Sequence, residues 1–364
     1  MPYPSNKTWA FPPSVQAIKY VFNSKNSCLV KCVIMIHLLS KKPQVDEDNL
    51  QALVYQNLTH NHVTEFIIFG FPSLQKYPTL LFCLFLFIYL FTITGNGSIF
   101  LLVTLDRRLH TPMYFFVGNL SFLDLSYAST TIPKMLAKFA MNLDTISYTA
   151  CYTQMYIFLS LAAVECFLLS IMAYDRYVAI CSPLHYLTIM TRSLCLLMTA
   201  MAWLGGFIAP VVLLILALDL PFCGHNVIHY YYCDHSPLLQ LACTDTSFNV
   251  AIGSSIGALI LLITFTLVVV SYIKIILTIL KINSKDGRLK TFSTCASHFA
   301  VVSIFYLPII FMYVRPKPSY SSSSGVDSLV ALLYTVLTPM MNPVIYSFRS
   351  QDIKEAFRRK IGFF

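Results

Sequence analysis

Met172-Ala173-Tyr174-Asp175-Arg176-Tyr177-Val178-Ala179-Ile180-Cys181 closes an apolar run that begins near Tyr152. An Asp-Arg pair is expensive inside hydrocarbon and ordinary at its edge, so the run is expected to leave a membrane at this point. Counting back at ~1.5 Å per residue, Cys151 lies roughly 36 Å away along a helix, which is about one hydrocarbon core plus interface. One end of this segment carries a charged, switch-like cluster and the other a cysteine.

The composition agrees. Of 364 residues, 57% are hydrophobic and only 11% charged, against about 25% charged in a soluble domain. A soluble core cannot hide that much apolar surface, and lipid must solvate much of it. The net charge of +9 is spread through short loops between apolar runs. It reads as the basic face of a membrane protein, with no nucleic-acid partner. Residues 1–60 carry Pro2, Pro4, Pro12, Pro13 and a charge cluster from Lys41 to Asp48, without sustained apolar periodicity. They read as a disordered extracellular tail or as sequence from an unusual start site. Cys28 to Leu39 is too short to span and has no small-residue cleavage site behind it. Asn57-Leu58-Thr59 is an N-glycosylation acceptor, as is Asn6-Lys7-Thr8. Asn119-Leu120-Ser121 also matches, but it falls inside a span and should stay unmodified.

Seven spans follow: Pro78 to Leu105, Met113 to Phe139, Cys151 to Tyr174, Leu194 to Leu218, the run after Phe248 to Ile279, Cys295 to Tyr313, and Val326 to Phe348. The expectation is an all-α membrane protein, a seven-transmembrane helix bundle over 61–348 with a short amphipathic surface helix in the tail 349–364. Basic residues gather after spans one, three, five and seven: Arg107 and Arg108, Arg176 and Arg192, Lys281 to Lys290, and Arg349 to Lys360. By the positive-inside rule those faces are cytoplasmic and the N-terminus is outside, at the plasma membrane. The long loop Asp219 to Phe248, with Cys223, Cys233 and Cys243, then falls on the oxidising side. Spacing alone leaves three pairings open for these cysteines and Cys151. Asp124 and Glu165 are intramembrane acids and functional candidates on that ground.

Five motifs stand in order along the chain: Leu109-His110-Thr111-Pro112-Met113-Tyr114, Met172 to Tyr177, Ser271-Tyr272, Lys290-Thr291-Phe292-Ser293-Thr294-Cys295-Ala296-Ser297-His298, and Pro339-Met340-Met341-Asn342-Pro343-Val344-Ile345-Tyr346. With them the chain resembles a rhodopsin-type G-protein-coupled receptor and, more narrowly, an olfactory receptor. The extended N-terminus departs from the family's usual start near the glycosylation site, here Asn57.

The resemblance implies disulfides Cys151–Cys233 and Cys223–Cys243. It also implies a switch built from Asp175, Arg176, Tyr177, Tyr272, Tyr306, Asn342, Pro343 and Tyr346. Leu307 and Pro308 follow Tyr306 where the family commonly has Gly. At the Asp124 position this receptor class holds a sodium ion in its inactive state, and Glu165 resembles an extra ligand. The other reading is a protonated acid hydrogen-bonded to Asn96 or Asn342, without an ion; no other cofactor is implied. Position relative to the motifs gives an odorant pocket of Phe158, Ala162, Ile256, Ile260, Ile309, Tyr313 and Thr335. This lining is apolar with two hydroxyls and suits a small, mostly apolar volatile. The partner implied is a heterotrimeric G protein of the olfactory stimulatory type, raising cyclic AMP. A transporter is the rival class, but no inverted repeat appears. An enzyme would need a nucleophile elbow or a metal constellation, and neither is legible. A non-olfactory peptide or lipid receptor is the alternative within the receptor class.

Overall fold

A computed structural model describes residues 63–70, 77–224, 226–314, 329–349 and 351–361. Asn57, the tail 1–60 and the expected start of the seventh span at Val326 lie outside the described residues. Seven long helical segments form a bundle: Pro78–Leu105, Pro112–Met141, Tyr148–Cys181, Arg192–Leu218, Ser247–Leu280, Lys285–Val314 and a seventh that includes Leu329–Tyr346. Six of them are apolar enough by length and composition to cross a membrane. The second is as long but carries Asp124, Lys134, Lys138 and many hydroxyls, with its polar middle turned inward. A short helix, Gln351–Ile361, follows the bundle with Ile353 and Ala356 buried.

Local chemistry sets the helix ends. Pro78 and Pro112 open the first two spans in the first turn, where a missing N–H costs nothing. Asn142, at φ 53°, closes the second. Ser147 caps the third through the Ala150 N–H at 3.3 Å, and Thr191 caps the fourth through Leu194 at 3.3 Å. Two boundaries differ from the sequence reading. The third helix runs past Asp175-Arg176 to Cys181, because the first breaker is Pro183. The sixth begins at Lys285 and not at Cys295, so part of the expected basic loop is helix projecting beyond the apolar run.

The fourth span is broken into Arg192–Ile208 and Val211–Leu218 at Ala209-Pro210. Proline at the break has no N–H to give, and apolar surroundings require each freed carbonyl to find another donor. Tyr156 supplies one, its hydroxyl donating to the Phe207 carbonyl at 2.9 Å. Tyr152 donates to the Ala217 carbonyl at 2.9 Å and Asn249 to that of Leu216 at 3.1 Å. The third and fourth spans approach closely at Gly206, where a Cβ would stand 2.3 Å from a Val164 methyl.

Outward faces are apolar where lipid would lie, with Leu80, Leu84 and Phe87 exposed on the first span and Leu262, Ile263 and Leu267 on the fifth. Inside are two cores. One surrounds Phe305, Tyr306 and Tyr272 toward the Asp-Arg end, and the other surrounds Tyr127, Met155 and Tyr232 toward the disulfide end. Ile171 and Tyr334 pack against both.

A three-stranded sheet caps the disulfide end. Its middle strand is β1 (Glu65–Ile68), flanked by β2 (Thr145–Ser147) and β3 (Val227–Ile228). β1 runs antiparallel to β2, with Phe66 opposite Ile146, and parallel to β3, with Ile68 opposite Ile228. Alternation puts Phe66 and Ile68 inward, both buried.

Candidate functional site

At the disulfide end Cys151 is joined to Cys233, with Cα atoms 5.3 Å apart, and Cys223 to Cys243 at 5.8 Å. Gln154, one turn along from Cys151, accepts the Cys233 N–H at 2.9 Å and donates to the Thr130 carbonyl at 2.7 Å. The loop after the fourth span is thereby held against spans two and three. Its Tyr230-Tyr231-Tyr232 run is buried in the bundle mouth. Burial drives all three phenols well above the ordinary tyrosine range, so they stay neutral. The next residues, Asp234 and His235, are also shifted by burial. Asp234 is pushed up to about 6, and His235 is lowered so that its ring stays uncharged. His235 packs on Gly253, where a Cβ would come within 2.9 Å of the imidazole.

These tyrosines meet two of the residues expected to contact ligand. The Tyr232 ring is 4.4 Å from that of Phe158, which in turn lies 5.0 Å from Tyr127. The Tyr231 and Thr335 hydroxyls are hydrogen-bonded at 2.7 Å. Thr335 sits in a π-helical stretch, Leu333–Leu337, a distortion that is frequent at functional sites. Ala162 packs in the same core, whereas Ile260 and Ile309 pack in the other, beside Tyr306. Ile256 is part-buried on the fifth span. The side chain of Tyr313 lies outside the described residues. The expected pocket set is thus divided between two cores.

At mid-bundle Asp124 and Glu165 are fully buried and within electrostatic reach of each other. Asn342 donates to Asp124 Oδ2 at 2.8 Å, while Asn96 donates to the Pro339 carbonyl at 2.8 Å. Asp124 Oδ1, both Glu165 oxygens, and the Asn96 and Asn342 Oδ1 atoms have no hydrogen-bond partner. Such a concentration of buried, unsatisfied oxygens is rare without a cation or proton to serve them. Pro343 packs on Gly95, where a Cβ would lie 2.9 Å from the proline ring.

At the opposite end Arg176 pairs within its own helix, its Nε donating to Asp175 Oδ2 at 3.0 Å and Nη2 to the same oxygen. Tyr186 donates to Asp175 Oδ1 at 2.7 Å. A cavity beside the pair is lined by Met172, Ser297, His298 and Tyr346. The Tyr272 hydroxyl lies 2.8 Å from His298 Nδ1, tying span five to span six, and does not reach Arg176. Tyr306 donates to the Cys166 carbonyl at 3.3 Å, and its ring lies 5.4 Å from that of Phe265. Tyr177 is part-buried, its ring 6.1 Å from that of Tyr174.

Sequence reasoning passed over Gln154, Tyr186 and the three loop tyrosines. A run of three aromatics beside a cysteine was the available signal. His298 is legible in the sequence only as the end of a motif. Asn119 faces protein, accepting from the Trp203 indole at 3.4 Å.

A family model described as olfactory receptor matches residues 83–362. Human olfactory receptor 6N1 is 54% identical over 301 residues, covering 83% of this chain and 96% of the relative. Human olfactory receptor 11H6 is 44% identical over 313 residues, 86% of this chain and 94% of the relative. Mouse olfactory receptor 6B9 is 44% identical over 307 residues, 84% and 96% respectively.

Proposed function

Because the chain belongs to the olfactory receptor family, a family of multi-pass membrane receptors and not enzymes, we propose that it is a switch thrown by a small, mostly apolar volatile. The disulfide end faces outward and the Gln351–Ile361 helix lies along the cytoplasmic surface, as the distribution of Arg and Lys favours. The volatile is held on the outer half of the bundle, with Phe158, Ala162 and Thr335 as its first contacts and Ile256, Ile260, Ile309 and Tyr313 on the facing spans. It acts by binding the open state better than the resting one, which shifts an existing equilibrium. Opening frees Arg176, Tyr272 and Tyr346 for a G protein of the olfactory stimulatory type, and cyclic AMP rises.

The observation that carries this reading is the closed arrangement at the Asp-Arg end. Arg176 is occupied by Asp175, Asp175 is braced by Tyr186, and Tyr272 is occupied by His298. The Tyr186 and His298 contacts join different elements, so a moving helix can break them, whereas Arg176 leaves Asp175 by a change of side-chain rotamer within one helix. Asp124 and Glu165 fit a sodium ion, since three of their four carboxylate oxygens are buried and unsatisfied. The ion would offset their charge in the resting state. The buried, unpartnered Oδ1 atoms of Asn96 and Asn342 would be the further oxygens offered to it.

The test is cyclic AMP output from cells expressing the receptor, against a panel of volatiles. Arg176→Ala should reach the surface at wild-type levels and lose the response by at least about tenfold, the effect of ~1.4 kcal/mol of lost coupling. A full odorant-driven response from the variant would overturn the assignment.

A further inference from the structure

Where the first loop meets the tail helix, the acids are already paired and a surplus of basic side chains faces outward. The two elements are the short turn Arg107–Leu109 and the helix Gln351–Ile361. Asp106–His110 and Gln351–Ile361 together hold six Lys and Arg against three Asp and Glu. Asp106 accepts the Arg108 N–H at 3.0 Å and an Arg359 Nη2 bond at 3.0 Å, which hold its carboxyl below the usual range. Asp352 accepts from the Tyr114 hydroxyl at 2.7 Å, and Glu355 pairs with Arg359 at 3.6 Å. Arg107, Arg108, Lys354, Arg358 and Lys360 form no ion pair among the described residues. All of these but Lys354 are exposed. Apolar surface adjoins them. Leu101 and Leu105, one turn apart at the end of the first span, are exposed, as is Phe357 beside Arg358.

Surplus cations next to uncovered apolar side chains complement an anion that carries its own hydrocarbon. Guanidinium forks match phosphate oxygens two at a time, and three of the four exposed cations are arginines. We propose that the first loop and the tail helix form one binding site for a phosphoinositide, a membrane lipid whose inositol ring bears phosphate monoesters. The phosphates take Arg107 and Arg108 from the loop and Arg358 and Lys360 from the helix, and the acyl chains run along Leu101 and Leu105. A soluble phosphate would leave those leucines and Phe357 uncovered, and a headgroup of single charge would engage only part of the patch. The Asp106–Arg359 pair fastens the two elements before lipid arrives, so less order is lost on binding. Occupation adds a second bridge beside that pair and ties the end of the seventh span to the first loop.

The site requires this end to face the inner leaflet, and so rests on the orientation proposed above. Binding is read in detergent micelles, which leave both ends open, so a failure here does not bear on orientation or signalling. The full chain is titrated with phosphatidylinositol bisphosphate, phosphatidylserine or soluble inositol trisphosphate, and native mass spectrometry counts the ligand retained. The phosphoinositide should be retained at concentrations about tenfold below phosphatidylserine, and the soluble headgroup should bind more weakly than the lipid. Equal retention of the two lipids would reduce the patch to general charge attraction. Equal binding of inositol trisphosphate would make it a site for free phosphates, and either result overturns the proposal. Arg107→Gln/Arg108→Gln and Arg358→Gln/Lys360→Gln should each weaken phosphoinositide retention about tenfold, since both elements contribute. Lys281→Gln/Lys285→Gln, which removes two exposed cations between spans five and six, should leave it unchanged. Full retention in either of the first two variants, or an equal loss in the third, refutes the site. The substituted side chains are exposed and the Asp106–Arg359 pair is kept; if one variant does not fold, the other decides alone.

Discussion

A single neutral side chain, Gln154, fixes the loop after the fourth span more directly than its length suggests. Its amide satisfies a buried N–H at Cys233 and a carbonyl at Thr130. Gln154→Ala leaves the buried Cys233 N–H without this partner, and an unsatisfied buried group costs roughly 1–3 kcal/mol. A drop of several degrees in the thermal midpoint is expected, measured on the full chain in nanodiscs. A second residue-scale prediction concerns pH. Asp234 is only part-buried as a residue, but burial of its carboxyl raises it from 3.8 to about 6. A carboxyl raised in the folded state stabilises that state fully below its unfolded value, and the contribution is lost as pH rises through the folded value. Stability should therefore increase as pH falls from about 6 toward 4, over the window these values set. Asp234→Asn should flatten that dependence in the same melting assay. Charged residues in apolar runs are easy to read: Asp124, Glu165 and Asp175-Arg176 stand out in sequence because charge is rare in the runs that hold them. Gln154 and Tyr186 did not, since a neutral hydrogen-bonding side chain has no visible partner until a neighbouring element is placed.

At the scale of elements, the fourth span shows how a broken helix survives in lipid. Pro210 is legible in the sequence but not its consequence, because the donor beside the break is Tyr156 on the third span. Tyr156→Phe removes the donor to the Phe207 carbonyl and should destabilise the packing of spans three and four by about 1–3 kcal/mol. Faster hydrogen exchange confined to residues 205–214 would register it, and unchanged exchange there would show the carbonyl to be served otherwise. Span ends are hidden in the sequence where apolarity stops before the helix does. The third helix continues past its apolar run until Pro183 ends it, and the sixth starts at Lys285, ahead of its apolar run. The surface helix is a different case. Its amphipathic pattern was legible, but its fastening was not. Tyr114 donates to Asp352 at 2.7 Å and Arg359 pairs with Asp106 at 3.0 Å, both reaching back to the first loop and the second span.

Across the whole molecule, the order of seven spans followed from composition, whereas the cap at the disulfide end did not. Strands as short as β2 and β3 leave no periodic signal, and β1 lies only a few residues beyond the tail. Cys151–Cys233 binds the loop that carries β3 to the third helix across 82 residues of sequence, and Cys223–Cys243 closes that loop on itself. Cys233→Ser should release the loop tyrosines and abolish surface expression, read by antibody labelling of intact cells. Normal surface levels with normal signalling would show the bridge to be dispensable.

The middle position of β1 has a consequence for how the protein is made. β1 leaves the ribosome before any helix of the bundle, yet its partners are synthesised only after the second and fourth spans. Until Val227 and Ile228 arrive, Phe66 and Ile68 belong to a strand with an open edge, a surface prone to pair with other chains. The cap can close only when four spans are inserted and the loop has been delivered to β1. A paired β1 is thus a single local sign that more than half of the chain has been threaded correctly, placed where a chaperone on that side of the membrane can read it.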